Sequence, residues 1–329
     1  MERLFPLCLL FTLLVTPGSA VEPPISPAPA PVAAPDPSPR VLDGIKYTEI
    51  ERQGALTRQT CRRLGIPTVP IAYHGGVDTN ADGVISENNI ARFTEWVDRT
   101  IPRERTMPAV LDYEQPWWDE LTAESIEPDR LRAILDVYLE GLVVAEQLRP
   151  DVDWGYWGLP AMRHTSEKWR AQGLSLDTLL SRQGAVYPAA YDCNPGSGSD
   201  EFGRYATRVL ESCGGRLPVW VFINTRYCGQ QGDRSRFIPV DEVLANAQAI
   251  LTAEWTAPSG GVHRVAGIVV WDTYGWSDEE SWGELDRHNA DLFSRLHALA
   301  EALPSNGSAA HSPPESPPES PPESPPESP

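Results

Sequence analysis

Short apolar runs alternate with amphipathic stretches along the chain, and this predicts an α/β fold, a (β/α) barrel of TIM type. Strands that alternate with helices pair in parallel, because a parallel connection needs a crossover that is usually a helix. The body of the chain, residues 41–304, is close to the roughly 250 residues typical of such barrels. Its length therefore favours one closed barrel over an open sheet, with any active site at the carboxyl ends of the strands.

The predicted strands are apolar runs of the length expected for buried strands, namely residues 68–73, 108–114, 153–159, 184–191, 217–223 and 266–272. Residues 41–66 contain no convincing first strand. Apolar residues at helical spacing predict helices over residues 129–148, 239–254 and 284–303. Pro128 and Pro239 stand at the predicted starts of the first two, where proline is well tolerated.

The two ends of the chain differ from the body in composition. Residues 1–20 hold an apolar stretch too short to span a bilayer, followed by small residues, which predicts a secretory signal peptide cleaved near Ala20. Residues 21–40 form a Pro- and Ala-rich linker, and residues 305–329 form a tail with Ser-Pro-Pro-Glu repeats. Neither segment can bury apolar surface, so both are predicted to be disordered and extended. We expect a protein that is secreted or exported to the cell envelope, with one domain over residues 41–304.

Charge limits the classes of partner. The formal net charge is −19 at pH 7, and a field of that sign repels nucleic acid. No other apolar run is long enough to span a bilayer, so we expect no membrane partner. We also expect a monomer.

The cysteines that remain after the predicted signal peptide is removed are Cys61, Cys193, Cys213 and Cys228. An even number in an exported chain predicts up to two disulfide bonds, in one of three pairings. The spacings match no zinc motif, so structural bridges are favoured over catalytic thiols.

Two carboxylates, Asp112 and Glu114, close the apolar run of residues 108–114. Side chains alternate faces along a strand, so these two share one face and Tyr113 takes the other. Neighbouring carboxylates cannot both ionise easily, and their pKa values are pushed apart, as acid/base chemistry on a glycosidic bond requires. The spacing alone is common by chance. Its place at the end of a predicted barrel strand favours catalysis.

Aromatic residues are grouped near the same strand ends, and the chain has 11 tryptophans. Sugar rings present apolar faces that stack on aromatic rings, so Trp271, Trp157, Tyr156 and Trp118 are candidates for substrate binding. Tyr156 is next to Trp157 in a strand and therefore points to the opposite face, so it is not expected to take the place of Trp157 in the site. Core packing explains any single tryptophan equally well. The grouping around the carboxylates favours a carbohydrate groove for the set.

Residues 78–89 resemble a calcium-binding loop. Asp78, Asn80 and Asp82 occupy the first, third and fifth ligand positions, and Gly83 occupies the turn. Asn89 stands where a bidentate carboxylate is expected, and the loop is single. The alternative is a polar turn that begins a helix at about residues 89–97. The predicted role is structural in both cases, and no cofactor is expected for the chemistry.

Segments in chain order resemble the hyaluronidase family of glycoside hydrolases, glycoside hydrolase family 56. His-Gly-Gly-Val at 74–77 resembles the loop before the catalytic strand of the family, and Ala-Val-Leu-Asp-Tyr-Glu at 109–114 resembles its Asp-Trp-Glu strand. The further similar segments are Trp-Gly-Tyr-Trp-Gly-Leu-Pro at 154–160, Val-Tyr-Pro-Ala-Ala-Tyr at 186–191, Phe-Ile-Pro-Val-Asp-Glu-Val at 237–243 and Ala-Gly-Ile-Val-Val-Trp at 266–271. The resemblance spans about residues 68–300 and is that of a divergent member.

The resemblance implies a distorted (β/α) barrel and a retaining, substrate-assisted cleavage beside an N-acetylhexosamine. Glu114 would protonate the leaving glycosidic oxygen and then act as base towards water, while the substrate's own acetamido carbonyl is the nucleophile. Asp112 would orient and stabilise the acetamido group, and Tyr191 would form a hydrogen bond with it. Trp271 would form an apolar wall at its methyl. The implied substrate of this endo-acting enzyme is hyaluronan or chondroitin.

Departures from the family pattern leave the substrate open. Trp157 stands where the family has a second active-site tyrosine, and an indole donates a hydrogen bond but cannot accept one as a phenol does. Gln115-Pro116-Trp117-Trp118 follows Glu114 where the family has Trp-Arg-Pro, so a cation that would face an anionic glycan is missing. Met162 stands near a family cysteine, so that disulfide is absent or rewired.

Three classes of function therefore remain. An N-acetylhexosamine-directed glycoside hydrolase is favoured, and its substrate is either hyaluronan-like or a neutral chitin- or peptidoglycan-like polymer. A non-catalytic carbohydrate-binding barrel would use the carboxylates only to bind sugar hydroxyls. A structural surface protein would need neither activity.

Overall fold

The computed structural model describes residues 41–228 and 236–303. These residues belong to one compact unit of the chain, Pro37–Pro329. The predicted signal peptide, linker and repeat tail lie outside the described residues.

The described strands form two three-stranded parallel sheets and one antiparallel pair. In the first sheet β8 lies between β1 and β5, and in the second β3 lies between β2 and β4. The antiparallel pair is β6 and β7. The parallel pairing confirms the predicted α/β class. The strands are β1 (Val41–Asp43), β2 (Ile71–Ala72), β3 (Met107–Leu111), β4 (Val152–Tyr156), β5 (Trp220–Asn224), β6 (Glu254–Thr256), β7 (Val262–Arg264) and β8 (Gly267–Trp271).

Isolated parallel bridges connect the two larger sheets at both edges. Asp43 pairs with Thr68, which joins β1 to the segment that leads into β2. On the other side, residues 186–189 lie between β4 and β5, through the pairs Trp157–Tyr187, Val186–Val219 and Ala189–Phe222. The neighbour order is therefore β1, β2, β3, β4, residues 186–189, β5 and β8, with β8 beside β1.

Helices follow most of the strands. α4 begins with proline at its first turn, where the missing amide proton costs no hydrogen bond, and its apolar residues recur at helical spacing on a buried face. The helices are α1 (Ala55–Leu64), α2 (Glu87–Thr100), α3 (Trp118–Leu121), α4 (Pro128–Leu148), α5 (Glu167–Ala171), α6 (Asp177–Leu180), α7 (Ser199–Ser212), α8 (Val240–Leu251) and α9 (Trp282–Ala302). Short 3₁₀ turns cover Met162–Thr165, Tyr274–Trp276 and Glu279–Ser281.

A small inner cluster of buried side chains is drawn from the neighbouring strands and from residues 185–187, whereas the larger cluster lies between strands and helices. Because both faces of the central strands are covered, β3, β5 and β8 are mostly apolar along their length. Partly buried aromatic residues pack against the inner cluster, namely Tyr73, Trp157, Tyr191 and Trp271. Each of them follows or ends a strand segment, so the fold collects these rings at the carboxyl ends of the strands.

Several sequence expectations need correction. The first strand, which residues 41–66 did not reveal, is β1, only three residues long and recognisable through its parallel pairing with β8. The third strand ends at Leu111, so the two carboxylates lie just beyond it. Residues 184–191 form bridges and no continuous strand.

The cysteine prediction holds in part. Cys193 and Cys228 form a disulfide bond, whereas Cys61 and Cys213 are free and buried. The two free thiols belong to the apolar core, which is a common place for cysteine without a bridge. Among the described residues, no helix is both long enough and apolar enough to cross a membrane.

Candidate active site

The two carboxylates are fixed by the backbone directly after β3. The Asp112 amide donates to the carbonyl of Ala72 at 3.0 Å, and the Asp112 carbonyl accepts from the Gly75 amide at 3.2 Å. These bonds continue the β2–β3 pairing by one residue beyond Leu111. The main chain that carries Asp112 is therefore rigid although it is no longer part of the assigned strand.

Tyr113, between the carboxylates, turns into the core. Its ring stacks on that of Tyr138 with the centroids 5.1 Å apart, and its hydroxyl donates to Asp78. Glu114 is exposed, whereas Tyr113 is buried. The alternation predicted from the sequence thus persists past the strand end and separates the tyrosine from the acids.

Both acids are shifted towards the protonated state. Burial raises the pKa of Asp112 to about 7, the charge of Glu114 adds to the rise, and Lys46 opposes it. The Glu114 side chain is exposed on one side, but the part that packs against the protein loses water, and this desolvation raises its pKa above the ordinary value. Asp112 Oδ1 is buried and has no hydrogen-bond partner among the described residues. The pair can thus hold a proton at a pH where ordinary carboxyls have lost theirs, and one buried oxygen is free to accept a ligand hydrogen bond.

Five aromatic rings form a continuous series, which we call the aromatic row: Trp118, Trp157, Tyr191, Trp271 and Trp276. The ring centroids are 5.1 Å apart from Trp118 to Trp157 and 5.8 Å apart from Trp157 to Tyr191. They are 5.8 Å apart from Tyr191 to Trp271, with the planes only 21° from parallel, and 5.1 Å apart from Trp271 to Trp276. The row brings together side chains from four separate parts of the chain, because Trp118, Trp157 and Tyr191 follow different strand segments and Trp271 and Trp276 lie at the end of β8 and in the turn after it.

Tyr191 places the aromatic row beside the carboxylates. Burial raises the pKa of its phenol, and the charges of Asp112 and Glu114, which act on it electrostatically, raise that pKa further. Trp157 Nε1–H donates to the Tyr191 hydroxyl oxygen at 3.2 Å. Because that oxygen already accepts from the indole, the phenolic proton can be donated to another group.

Trp118 is held against the row by a close backbone approach. Gly158 adopts φ +77°, and a Cβ atom at this position would lie 2.4 Å from the Trp118 ring. Glycine is thus required here for its backbone conformation and for the space that the indole fills. Trp118 itself begins α3, the short helix that follows the carboxylates.

A buried ion pair supports the other end of the row. Arg226, just beyond β5, donates from Nε to Asp272 Oδ1 at 2.9 Å, and Asp272 directly follows Trp271. Arg226 Nη1 also donates to Ser277 at 2.8 Å, and its guanidinium lies 5.6 Å from the centre of the Trp276 ring. The pair therefore fixes the segment that carries Trp271 and Trp276.

Sequence reasoning missed three of these residues. Trp276 was not among the aromatic residues predicted to bind substrate, although it follows the same strand as Trp271. Arg226 and Lys46 had no motif to mark them. Their only signal was position, since Arg226 follows a predicted strand and Asp272 ends another, and parallel strand ends meet at one edge.

Two sets of predicted residues do not join the aromatic row. Tyr156 is 1% exposed, and its hydroxyl donates to the Tyr138 carbonyl at 2.9 Å, so its assignment to substrate binding is corrected. It faces α4 because it is one residue away from Trp157 on alternating faces. Of the predicted metal ligands of residues 78–89, Asp78 contacts the hydroxyl of the buried Tyr113 and no ring of the aromatic row. Two surface depressions, of about 430 and 580 Å³, contain none of the site residues.

Comparisons with known proteins agree with the predicted architecture. No family model and no curated protein gives a significant match to the chain. Among solved structures, monoclinic bee venom hyaluronidase matches with a TM-score of 0.52 and 13% sequence identity, over 78% of this chain and 99% of that chain. This likeness shows a hyaluronidase-like fold.

Two further structures match less well. Bee venom hyaluronidase in complex with a hyaluronic acid tetramer has a TM-score of 0.48 and 12% identity, over 79% of this chain and 99% of that chain. The catalytic core of xylanase A has a TM-score of 0.36 and 10% identity, over 75% of this chain and 97% of that chain.

Proposed function

We propose that the protein is an endo-acting glycoside hydrolase that cleaves beside an N-acetylhexosamine with retention of configuration, on a distorted barrel. The observation that carries this proposal is the pair of acids with raised pKa values, Asp112 and Glu114, beside a row of five aromatic rings. Aromatic rings stack on sugar faces, and a carboxyl group whose pKa is raised keeps its proton to higher pH and can act as a general acid. The fold shared with bee venom hyaluronidase and the sequence resemblance to its family support the same conclusion.

In the first step Glu114 gives its proton to the glycosidic oxygen as the C1–O bond breaks. The acetamido carbonyl oxygen of the sugar bonds to C1 at the same time, which forms a cyclic oxazolinium ion. In the second step Glu114, now a carboxylate, takes a proton from water while the water oxygen bonds to C1 and the ring opens. Both the acetamido group and the acid are restored, and no protein nucleophile is needed.

Asp112 and Tyr191 have complementary parts in this scheme. Asp112 Oδ1, which has no partner among the described residues, would accept the acetamido N–H. The Tyr191 hydroxyl accepts from Trp157 and would donate its proton to the acetamido oxygen. Trp271, whose ring lies nearly parallel to that of Tyr191, would cover the acetamido methyl.

The resemblance and the charges around the site favour different classes of substrate. The hyaluronidase resemblance favours hyaluronan or chondroitin, whose carboxylates need cations. Lys46 lies 4.0 Å above the centre of the Tyr73 ring and lowers the pKa of Asp112, while Arg226 is tied to Asp272. Exposed acids, Asp119 and Asp278, lie near the two ends of the aromatic row. Because these acids would repel an anionic glycan and Arg226 is already paired, a neutral N-acetylated glycan is the second candidate.

Reducing-end release from hyaluronan, chondroitin and chitin oligosaccharides tests the function. Wild type should cleave one of them, and Glu114→Gln should lower turnover by about 10²- to 10⁴-fold, because the general acid is lost. Glu124→Gln, which removes an exposed carboxylate away from the row, serves as the matched control and should keep full activity. Full activity in Glu114→Gln would exclude Glu114 as the acid. Binding without turnover in wild type would favour the carbohydrate-binding alternative.

Fully de-N-acetylated chitosan oligosaccharides, compared with chitin oligosaccharides, test whether the acetamido group is the nucleophile. They keep the chain and the leaving group but lack the acetamido carbonyl, so the substrate-assisted mechanism predicts no cleavage. Cleavage at a comparable rate would require a protein nucleophile instead.

Export also belongs to the proposal. The Cys193–Cys228 disulfide bond is typical of proteins that mature in an oxidising compartment. We propose that the protein acts outside the cell or in the cell envelope, where polysaccharides are found.

A further inference from the structure

Asp78 is a buried carboxylate behind the strand end that carries the two acids. It is 1% exposed, and its Oδ2 accepts from the Gly83 amide at 2.7 Å and from the Tyr113 hydroxyl. The bond to Gly83 crosses the loop of residues 78–89, so the carboxylate points into that loop. Asp78 Oδ1 is buried and has no hydrogen-bond partner among the described residues. A buried carboxylate oxygen without a partner is costly, which points to a missing ligand.

Further oxygen donors converge on the same loop. Asn80 Nδ2 donates to Asp82 Oδ2 at 2.6 Å, and Asn80 Oδ1 accepts from the side-chain nitrogen Nδ2 of Asn89 at 2.6 Å. Asp82 Oδ1 accepts from the Val84 amide at 2.9 Å, which closes the turn. The turn needs Gly83, at φ +81°, because a Cβ there would lie 2.8 Å from the Trp117 ring.

Asn89 has a different role from the ligand that its sequence position suggests. Its Oδ1 accepts from the Ser86 amide at 3.1 Å, and the Ser86 side chain accepts from the Asn89 amide, so the two form a capping box at the start of α2. The side-chain nitrogen Nδ2 of Asn89 donates to Asn80 Oδ1 and to Thr79 Oγ1. Asn89 thus joins the loop to the helix and orients Asn80.

We propose that residues 78–89 bind one calcium ion through Asp78 Oδ1, Asn80 and Asp82, with water in the remaining positions. Calcium takes six to eight oxygen ligands in flexible geometry, which suits short carboxylate and amide side chains on a turn. Magnesium demands a near-ideal octahedron and gives up its water reluctantly. With two carboxylates and no bidentate glutamate, the dissociation constant falls on the order of 10⁻⁴ to 10⁻³ M, as in extracellular calcium modules.

The ion also acts on the strand end. Tyr113 lies between Asp112 and Glu114, and its hydroxyl holds the same Asp78 that would ligate calcium. Calcium bound to Asp78 Oδ1 would fix the Asp78 carboxylate, whose Oδ2 accepts the hydrogen bond from the Tyr113 hydroxyl. The calcium ion is therefore a structural support for the segment that carries both acids, and the inference does not depend on the proposed hydrolase activity.

Calorimetric titration of the metal-free full-length protein with calcium chloride tests the site, with melting temperatures measured in calcium and in chelator. Wild type should bind one ion and melt at a higher temperature in millimolar calcium, because the ligand binds the native state. Asp82→Asn, at an exposed position, should weaken binding about tenfold or more by removing a charged donor. Glu87→Gln removes an exposed charge on α2 outside the donor set and should bind like wild type.

Three results would overturn the proposal: no heat and no melting shift in millimolar calcium, wild-type affinity in Asp82→Asn, or an equal loss in Glu87→Gln. A magnesium titration that matches calcium would overturn the choice of ion. Tyr113→Phe keeps the stacking on Tyr138 and removes only the hydroxyl, so it should weaken calcium binding several-fold. Unchanged affinity in this variant would exclude the link to the strand end.

Discussion

Replacing Asp112 with asparagine should stabilise the protein at neutral pH while impairing the proposed activity. The pKa of Asp112 rises from an ordinary 3.8 to about 7, chiefly because of burial. The folded protein therefore binds this proton more tightly than the unfolded chain does. Between about pH 4 and pH 7 the unfolded state binds fewer protons, so stability falls as the pH rises. Below that window the carboxyl is protonated in both states and the effect vanishes.

The magnitude follows from the pKa difference. A rise of about three pH units corresponds to about 4 kcal/mol of lost stability above pH 7, at ~1.4 kcal/mol per unit. Asp112 is only partly buried by its accessible surface, so solvent screens part of this cost, and we expect about 2 kcal/mol. Asparagine has the same shape and no charge, so Asp112→Asn should recover this amount at pH 8 and little at pH 4.

Urea unfolding of wild type and Asp112→Asn at several pH values between 4 and 8 measures the difference. Asp43 and Asp153, whose pKa values burial raises to about 6, titrate in both proteins and cancel in the comparison. Asp119→Asn, which removes an exposed carboxylate on α3, should show no such pH-dependent gain. A stability difference that stays constant across this pH range, or a wild type that is more stable at pH 8, would refute the burial argument.

The remaining predictions concern the support of the site and its pH dependence. Arg226→Met leaves the buried Asp272 without its countercharge and should cost ~3–5 kcal/mol. By thermal unfolding this is a fall of roughly 6–15 °C in melting temperature, whereas the exposed Arg99→Met should be neutral. Trp157→Phe removes the donor to Tyr191 and should lower kcat by about three- to tenfold at unchanged melting temperature; a normal kcat would contradict the part given to this bond. Because Glu114 must be protonated, kcat/KM should decline as the pH rises through its raised pKa; a rate that climbs with pH would contradict this.

The parallel architecture was readable from the sequence because buried strands and amphipathic helices leave distinct patterns. β1 was not, because three residues, Val41–Asp43, are too few to show a period, and their identity as a strand comes from pairing with β8. Residues 184–191 read as a strand because they are apolar, yet they form only single bridges on each side. Local pattern thus gave the apolar segments, and tertiary contacts decided which became regular strands.

The site shows the same division. Strand alternation correctly separated Tyr113 from the acids and Tyr156 from Trp157, although Tyr156 was still named as a substrate-binding candidate. The Arg226–Asp272 pair could not be predicted, because its two members are distant in sequence and meet only when β5 and β8 pair. The lining of the site by Trp276 likewise depends on the turn after β8, which that ion pair fixes.

Trp157 is the departure from the family pattern that bears most on the chemistry. In the hyaluronidase family that the sequence resembles, a second tyrosine stands at this position. Two phenol groups can each donate a hydrogen bond to a substrate and accept one from it. Here the indole N–H is used within the protein, on the oxygen of Tyr191 at 3.2 Å. That bond leaves Tyr191 a donor towards any ligand that reaches the site, and it fixes the direction of the phenolic proton. The acetamido oxygen would then meet one oriented donor instead of two adaptable hydroxyls, while Asp112 accepts from the acetamido nitrogen.

If Trp157→Tyr restores a family-like pair of phenols, the enzyme should stay active but bind the acetamido group less selectively. Competition between an N-acetylated substrate and its N-propionyl analogue measures this, and identical selectivity in both proteins would show that the indole does not orient Tyr191.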